Sequence, residues 1–473
     1  MDRLRLPRTL SIALVLLILS LARHFENTGS TAAVVERPNF LIIITDDQRY
    51  DTMGPFMPRT QARIFDEGIK FTKAYVTTPL CCPSRASILT GMYSHNHGVH
   101  LNSDRLAKQT FMERLHKAGY FTGLVGKYLN SWDGSARPEF DFWVAFAGGG
   151  SRYFNPRLNI DGSWSEHDGY ITYILRDFAL RFLDEAARKK QPFALLFAPN
   201  APHAAFDLLA GVAPPGVAPD PAPGDESLYK NLPLYRPPNY NEQDLSDKPG
   251  WLQSVPSLTS TQQELIDIVR LRQLQTLWSL DQAIGAIVHR LERQAQLENT
   301  VIFYISDNGF FWGEHRLREK DRIYEPSIHV PFALRYPKIV SQGQIENRLV
   351  ANIDIAPTVY QLAGLAIPTE VDGRSLVPLL RRQGNWRDNL LIESFERRAP
   401  YAAVHTGRYV YVETRDDRSE LYDLETDPHQ LENRINDPAY AQIMAEPKSP
   451  FHCLTTWPFM SITSAPWGLG WIV

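Results

Sequence analysis

Four continuous apolar runs constrain the fold of this chain more than any other feature of its sequence. They lie at residues 39–44, 122–125, 193–197 and 300–305. A strand that is buried on both faces reads as a continuous apolar run, and such strands are typical of parallel sheets covered by helices. Helical patterns lie between the runs, and the clearest spans residues 261–295. The alternation predicts an α/β sandwich with a mainly parallel sheet flanked by helices.

A smaller second domain is expected from the length and from the later pattern of the chain. At 473 residues, the chain exceeds the size at which a single hydrophobic core stops growing. Beyond Pro368, short strand candidates at 390–392, 409–412 and 420–424 indicate a small antiparallel sheet. The expected boundaries are 37–366 for the main domain, 367–446 for a C-terminal subdomain and 447–473 for a tail of unknown role.

The first 22 residues predict an export signal. Three arginines within the first eight residues precede an apolar run at 10–19, and Ser20 and Ala22 place small side chains at the two positions that a signal peptidase recognises. The alternative is a retained anchor, and we expect membrane contact only in that case. A polar linker at 23–36 follows. The chain has no Asn-x-Ser/Thr acceptor, which favours a periplasmic or secreted protein over a lysosomal one.

Charge and cysteine content limit the expected partners and cross-links. The formal net charge of −4 gives no reason to expect a nucleic acid partner. The three cysteines are Cys81, Cys82 and Cys453, too few for a disulfide framework. Adjacent cysteines rarely bond to each other, so Cys81 and Cys82 require another explanation.

Polar side chains follow the ends of the predicted parallel strands. They are Asp46, Asp47, Lys127, His203, Asp307 and Asn308. Taken singly, an Asp after a strand is more often a helix cap or turn former. In open α/β sheets, however, ligands bind at the carboxyl ends of the strands, where these side chains converge. Three carboxylates and an amide oxygen suit a hard cation, Ca²⁺ or alternatively Mg²⁺.

The most specific segment is residues 81–91, CCPSRASILTG. It resembles the sulfatase signature C-x-P-S-R-x-x-x-L-T-G at every defined position, and the spacing makes Cys81 rather than Cys82 its first residue. The resemblance covers roughly residues 37–435. Its other segments are 306–309, 313–315, Lys320, 324–325, 330–331, 354–358, 421–424, 427–428 and Asn433. Within the family, the double cysteine and residues 126–130, GKYLN, look closest to the glucosamine-6-sulfatases, including the extracellular heparan 6-O-endosulfatases.

The resemblance implies a fold and a chemical mechanism. The fold would be an alkaline-phosphatase-like sandwich with a small C-terminal antiparallel sheet. A formylglycine-generating enzyme would oxidise Cys81 to formylglycine, which is hydrated to a geminal diol. One hydroxyl attacks sulfur and the alcohol leaves; deprotonation of the other hydroxyl then expels sulfate and restores the aldehyde.

The resemblance also implies roles for individual residues. The implied metal ligands are Asp46, Asp47, Asp307, Asn308 and the diol derived from Cys81. Arg85, one helical turn after Cys81, would orient the diol, Lys127 and Lys320 would hold sulfate oxygens, and His203 would protonate the leaving oxygen. Many sulfatases have a His where this chain has Leu129, so the base of the elimination step is open between Asn130 and another histidine. Of the histidines after the motif, His97 is the one expected near the site.

The expected activity is hydrolysis of sulfate esters on a sulfated carbohydrate, such as N-acetylglucosamine 6-sulfate of a glycosaminoglycan. Two alternatives remain open at this point. One is a phosphoester or phosphonate hydrolase of the same superfamily, and the other is a non-catalytic protein that binds sulfated glycans. Substrate choice would be set by pocket walls, which we expect from the loop at 145–170, a proline-rich insertion at 205–260 and the C-terminal subdomain.

Overall fold

The computed structural model describes residues 37–205, 218–441 and 443. Several predicted segments lie outside the described residues, namely the export signal at 1–22, the linker at 23–36, the tail at 447–473 and residues 206–217 of the insertion. Within the described part of the chain, no helix is both long enough and apolar enough for a membrane crossing.

The strands of the described residues fall into one large sheet, two short ribbons and one small sheet. In chain order they are β1 (Asn39–Thr45), β2 (Ile69–Phe71), β3 (Ala74–Tyr75), β4 (Phe121–Lys127), β5 (Phe142–Phe146), β6 (Arg157–Ile160), β7 (Ser163–Glu166), β8 (Phe193–Ala198), β9 (Thr300–Ser306), β10 (Phe311–Trp312), β11 (Arg318–Glu319), β12 (Phe332–Arg335), β13 (Gln344–Glu346), β14 (Val350–Ala351), β15 (Leu390–Ser394), β16 (Tyr401–His405), β17 (Tyr409–Thr414) and β18 (Glu420–Asp423).

The large sheet has ten strands in the order β13-β2-β12-β9-β1-β8-β4-β5-β6-β7. The four predicted apolar runs form β1, β4, β8 and β9, and these strands lie side by side at its centre. They pair in parallel with one another, and β5 continues the parallel set next to β4. Outside this set, β12 and β6 pair antiparallel to their neighbours, so the sheet is mixed at its edges.

The central strand β1 shows why apolar and polar residues do not alternate in these runs. Phe40, Ile42 and Ile44 point into one apolar core, whereas Leu41 and Ile43 point into another. Successive side chains of a strand face opposite sides of the sheet, and both sides are covered here. Each face therefore requires apolar residues, and the predicted layered α/β architecture is confirmed.

Helices cover both faces of the sheet. In chain order the α-helices are α1 (Pro58–Thr60), α2 (Cys81–Thr90), α3 (Ser94–His97), α4 (Phe111–Lys117), α5 (Ile171–Lys189), α6 (Gly250–Gln253), α7 (Ser260–Arg293), α8 (Glu325–Ile328), α9 (Ile355–Leu362) and α10 (Val377–Leu380). The long helices α5 and α7 pack on one face, and α2, α4 and α9 pack on the other. Helix α7 is the predicted helix at 261–295, and a capping box between Thr259 and Gln262 fixes its start.

The C-terminal strands form an antiparallel sheet in the order β15-β16-β17-β18. The sequence predicted three of these strands. It did not predict β16, whose five residues include two alanines, which have low strand propensity. Strand β16 pairs with both β15 and β17, and Tyr401 and Ala403 share a core with Tyr75 and Tyr324 of the preceding region. The cross-strand partners and this shared core therefore order a segment with little local strand signal.

Candidate active site

Two neighbouring strands deliver four polar side chains to one point. Strands β1 and β9 are parallel, and Thr45 pairs with Ser306 at their ends. Asp46 and Asp47 therefore emerge beside Asp307 and Asn308, and all four side chains are buried. The backbone N–H of Asp47, a residue with φ of 65°, donates to Asp307 Oδ1 at 3.2 Å.

Helix α2 presents the motif cysteine to this cluster. The helix begins at Cys81, and Gly91 ends it in a left-handed conformation with φ of 75°. The Cys81 sulfur lies 3.7 Å from Asp46 Oδ1. One turn along, Arg85 Nε donates to Asp307 Oδ2 at 2.7 Å and links the helix to the end of β9.

Two lysines complete the charged centre, of which Lys127 is fully buried and Lys320 is partly buried. Lys127, at the end of β4, donates to Asp46 Oδ2 at 2.6 Å. Lys320, just after β11, donates to Asp47 Oδ1, and its Nζ lies 2.9 Å from Cys81 Sγ. Burial alone would lower the pKa of each ammonium group, but the adjacent carboxylates, Asp46 for Lys127 and Asp47 for Lys320, raise it. Both lysines are therefore cations at neutral pH.

The thiol of Cys81 is a poor nucleophile in this setting. Burial raises its pKa to about 12, although Lys127 and Lys320 oppose that rise. A thiolate is the reactive form of cysteine, so at neutral pH the unmodified side chain is a neutral thiol. Any covalent chemistry at position 81 thus requires a different functional group or a change in its surroundings.

His203 lies beside Asp47, near the carboxylate oxygen that Lys320 does not contact. It follows β8, its Nδ1 lies 2.9 Å from the carbonyl oxygen of Ala204, and its Nε2 lies 3.8 Å from Asp47 Oδ2. A carbonyl oxygen can only accept a hydrogen bond, so Nδ1 carries a proton. Nε2 is therefore the atom at which His203 can accept or donate a proton.

A cavity of about 310 Å³ opens onto Asp47, His203 and Lys320. Helix α7 and residues 310–312, which include β10, supply most of its apolar wall, and β11 contributes Arg318 and Glu319. The apolar lining residues are Ala204, Leu265, Ile266, Val269, Phe310, Phe311 and Trp312. This wall was not predicted from the sequence, because helical periodicity does not separate a face that lines a cavity from one that packs in a core.

Only some of the segments that were predicted to form pocket walls lie at the site. From the loop at 145–170, Gly150 lies so close to His203 that a Cβ there would be 3.0 Å from His203 Nδ1. Of the insertion at 205–260, residues 206–217 lie outside the described part of the chain. The lining of the 310 Å³ cavity comes from residues 47, 203–204, 265–266, 269, 310–312 and 318–320.

The acidic cluster fits a hard divalent cation. Asp46, Asp47 and Asp307 can each offer an oxygen within 4.8 Å of the others. Asn308 Nδ2 donates to Asp47 Oδ1 at 2.6 Å, whereas its Oδ1 is buried without a hydrogen-bond partner among the described residues. An all-oxygen donor set is what Ca²⁺ and Mg²⁺ prefer, and a buried amide oxygen without a donor is a suitable additional ligand.

The histidines after the motif have structural partners. His97 Nε2 lies 3.0 Å from Ser87 Oγ of α2, and its Nδ1 accepts from the backbone N–H of Val99 at 3.0 Å. Burial lowers the pKa of His97 to about 3, so this ring is neutral and braces α2. Leu129 packs in the core beside Tyr128, and neither residue offers a base.

Comparison with known proteins places this geometry in a family. A family model described as Sulfatase matches residues 38–365, and one described as N-sulphoglucosamine sulphohydrolase, C-terminal, matches residues 313–455. Human N-acetylglucosamine-6-sulfatase is 34% identical over 394 residues, which are 76% of this chain and 68% of that protein. The extracellular sulfatase SULF-1 homolog of Drosophila melanogaster is 34% identical over 404 residues, 80% of this chain. The chain spans 35% of that fly protein and 52% of a Caenorhabditis elegans homolog.

Solved structures share the fold. A protein in complex with its substrate D-glucosamine-2-N,6-O-disulfate superposes with a TM-score of 0.76 at 26% identity, covering 89% of this chain and 98% of that one. A phosphonate monoester hydrolase from Silicibacter pomeroyi superposes with a TM-score of 0.63 at 24% identity, covering 86% of this chain and 92% of that one, a likeness of fold alone. The Sulfatase model covers most of the chain, and the human relative is similar over most of its own length, so this chain belongs to the sulfatase family.

Proposed function

We propose that this chain hydrolyses sulfate esters at the centre formed by Cys81, the acidic cluster and the two lysines. The observation that supports it most directly is Cys81 at the first position of a buried helix, with Lys320 Nζ 2.9 Å from its sulfur. A neutral thiol with a pKa of about 12 is unsuited to attack, which favours formylglycine at this position. Hydrated formylglycine supplies an oxygen nucleophile, and deprotonation of its second hydroxyl would then expel sulfate and restore the aldehyde.

The other side chains of the site would each have a separate role in the reaction. Lys127 and Lys320 would neutralise sulfate oxygens as fixed positive charges in a site shielded from water. Arg85, held by Asp307, would orient the group at position 81. His203 would donate the Nε2 proton to the oxygen of the departing alcohol. Asp46, Asp47, Asp307 and Asn308 would hold Ca²⁺ or Mg²⁺, which when bound lowers the pKa of a coordinated hydroxyl and offsets sulfate charge.

Maturation would need a formylglycine-generating enzyme acting before folding is complete. All residues of helix α2, including Cys81 and Arg85, are buried. A modifying enzyme could therefore reach the motif only in an unfolded or partly folded chain. We also propose export of the protein, because two relatives are named as extracellular sulfatases.

The proposed substrate is a 6-sulfated glucosamine residue of a glycosaminoglycan. Relatives named N-acetylglucosamine-6-sulfatase and the neighbour solved with a disulfated glucosamine support this choice. The cavity beside Asp47 and Lys320 has a volume of about 310 Å³, sufficient for a monosaccharide.

The test is a substrate panel with protein whose conversion at residue 81 has been confirmed by mass spectrometry. We expect sulfate release from N-acetylglucosamine 6-sulfate and from its N-sulfated counterpart, and little turnover of a matched phosphate ester. A large preference for phosphate would overturn the sulfatase proposal in favour of a phosphoester hydrolase. Binding of sulfated glycan without hydrolysis by fully converted protein would instead indicate a non-catalytic glycan-binding protein.

A further inference from the structure

Two loops orient the ring of His203: in its own loop the carbonyl oxygen of Ala204 accepts from Nδ1 at 2.9 Å, and the loop after β5 packs against the ring at Gly150. The Nε2 of His203 lies 3.8 Å from Asp47 Oδ2, which exceeds hydrogen-bond distance, so Asp47 does not fix the ring. Within its own loop, the N–H of His203 donates to the carbonyl oxygen of Asn200 at 2.9 Å. The loop after β5 contacts the other side of this turn.

Three hydrogen bonds join the two loops. The side chain of Asn200 accepts from the backbone N–H of Ser151 at 3.1 Å and donates to the carbonyl oxygen of the same residue at 3.4 Å. The hydroxyl of Tyr153 donates to the carbonyl oxygen of His203 at 2.8 Å. Asn200 and Tyr153 are both almost completely buried, so water does not compete for these bonds.

Gly150 sets the separation of the two loops. A Cβ at this position would lie 3.0 Å from Nδ1 of His203 and 3.3 Å from Oδ1 of Asn200. These distances are shorter than almost all contacts of real Cβ atoms, so an added methyl group would have to displace the imidazole or the Asn200 amide. The absence of a side chain at residue 150 thus lets the loop lie directly against the ring.

We infer that Asn200 and Tyr153 are positioning residues that hold His203 at the angle required for proton donation. The inference rests on the proposed function, in which His203 protonates the departing alcohol. A proton donor must lie within hydrogen-bond reach of the reacting oxygen, and a displacement of about 1 Å can cost about 100-fold in rate. Because the loop contacts hold both the backbone and the ring of His203, loss of those contacts removes that precision.

Two sulfate ester substrates distinguish a loss of His203 positioning from a general loss of protein stability. A sugar 6-sulfate has a poor leaving group and needs a proton donor, whereas 4-nitrophenyl sulfate releases a stable phenolate without one. We expect Asn200→Ala and Tyr153→Phe to lower kcat for the sugar sulfate about 10-fold or more, and to leave kcat for 4-nitrophenyl sulfate within about threefold of wild type. Gly150→Ala, which removes no hydrogen bond, should shift the ratio of the two rates in the same direction.

Asn159→Ala is the matched control. Asn159 is also buried and also bonds two backbone groups, Gly134 and Gly162, but it lies in β6 near the edge of the sheet. We expect Asn159→Ala to leave the ratio of the two rates unchanged. In a His203→Ala background, Asn200→Ala should cause no further loss with the sugar sulfate, because its effect passes through the imidazole.

The outcomes separate this inference from the proposal on which it rests. If wild-type protein with confirmed conversion hydrolyses neither ester, the proposed function is overturned, and this inference with it. If wild type is active but both rates fall in parallel in Tyr153→Phe and Asn200→Ala, only the inference is overturned. Tyr153→Phe keeps the test decisive if Asn200→Ala does not fold, because it removes one hydroxyl and preserves the ring.

Discussion

The ammonium group of Lys320 lies 2.9 Å from the sulfur of Cys81 and also donates a hydrogen bond to Asp47. The two residues are 239 positions apart in the sequence. Lys320 follows the short strand β11, and its neighbour Asp321 donates a backbone N–H to Ser327 Oγ of α8 at 3.1 Å. The loop is thereby fixed, and a permanent positive charge lies beside whichever group residue 81 carries.

Replacing Lys320 by alanine should therefore impair the chemical step. We expect kcat/KM for the sugar sulfate to fall by about 100-fold or more, in the range found when one preorganised stabilising group is removed. The measurement is steady-state kinetics at equal conversion of residue 81. Lys248→Ala is the control, because Lys248 is a buried lysine outside the site that bonds Asp247 and the carbonyl oxygen of Leu431. A Lys320→Ala rate within about threefold of wild type would contradict a role for this lysine in catalysis.

Replacing the adjacent cysteines Cys81 and Cys82 by alanine should have very different effects on activity. Cys81→Ala removes the residue that becomes the nucleophile and should abolish turnover while leaving affinity for sulfated glycan largely intact. Cys82 instead packs in the core near Ser131 and the carbonyl oxygen of Asp104, so Cys82→Ala should cost about 1 kcal/mol of stability and retain activity. Mass spectrometry of the motif peptide, together with kinetics, checks both variants. Aldehyde at residue 82, or activity in Cys81→Ala, would show that the wrong cysteine has been assigned.

Much of the fold follows from local patterns. The runs that form β1, β4, β8 and β9 are apolar on both faces, and this pattern is typical of strands covered on both sides. The antiparallel edges were not predictable, because short strands such as β12 obtain their order from a neighbour and not from their own sequence. Strand β16 is the same case in the C-terminal sheet.

The residues of the active site are likewise only partly predictable from the sequence. Asp46 and Asp307 follow strands that are recognisable in the sequence, so their convergence follows from the rule for strand ends. Lys320 has no such local signal, and only the family resemblance identified it. The apolar cavity wall from Leu265 and Val269 and the contact of Gly150 with His203 depend on how distant segments meet. No spacing in the sequence encodes those contacts.

Metal binding should be visible as thermal stabilisation. Without a cation, the carboxylates of Asp46, Asp47 and Asp307 lie close together, and Asn308 Oδ1 is without a hydrogen-bond partner among the described residues. Ca²⁺ or Mg²⁺ should raise the Tm of chelator-treated protein, and an ion at about 100 times its Kd adds about 2.7 kcal/mol. Differential scanning calorimetry at equal ion concentrations also identifies the preferred metal.

Two asparagine variants locate the ion. Asn308→Ala should reduce the metal-dependent rise in Tm, because it removes one ligand oxygen. Asn39 begins β1, at the end of that strand opposite to Asp46 and Asp47, and its side chain accepts from the backbone N–H of Phe193 at 3.0 Å. Asn39→Ala should lower the baseline Tm but preserve the metal-dependent rise. An equal rise in Asn308→Ala and wild type would place the ion elsewhere.

A buried acid in the C-terminal sheet provides a prediction independent of catalysis. Glu420 Oε2 accepts hydrogen bonds from the hydroxyls of Tyr324 at 2.7 Å and Tyr422 at 2.6 Å. Burial raises the pKa of Glu420 to about 7, an effect that the two tyrosines and Lys248 only partly oppose. Its ordinary pKa is 4.5, so the folded protein retains a proton that the unfolded chain releases.

The sign of the resulting pH dependence follows from linkage. Between pH 4.5 and about 7 the unfolded chain binds fewer protons at Glu420 than the folded protein does, so this group lowers stability as pH rises and has no further effect above about pH 7. Glu420→Gln stays neutral and keeps an acceptor for Tyr324 and Tyr422. We expect the variant and wild type to have similar stability below pH 4.5 and the variant to gain up to about 3 kcal/mol by pH 8. Thermal unfolding across this pH range measures the difference. A difference that is constant with pH would mean that folding does not shift the pKa of Glu420.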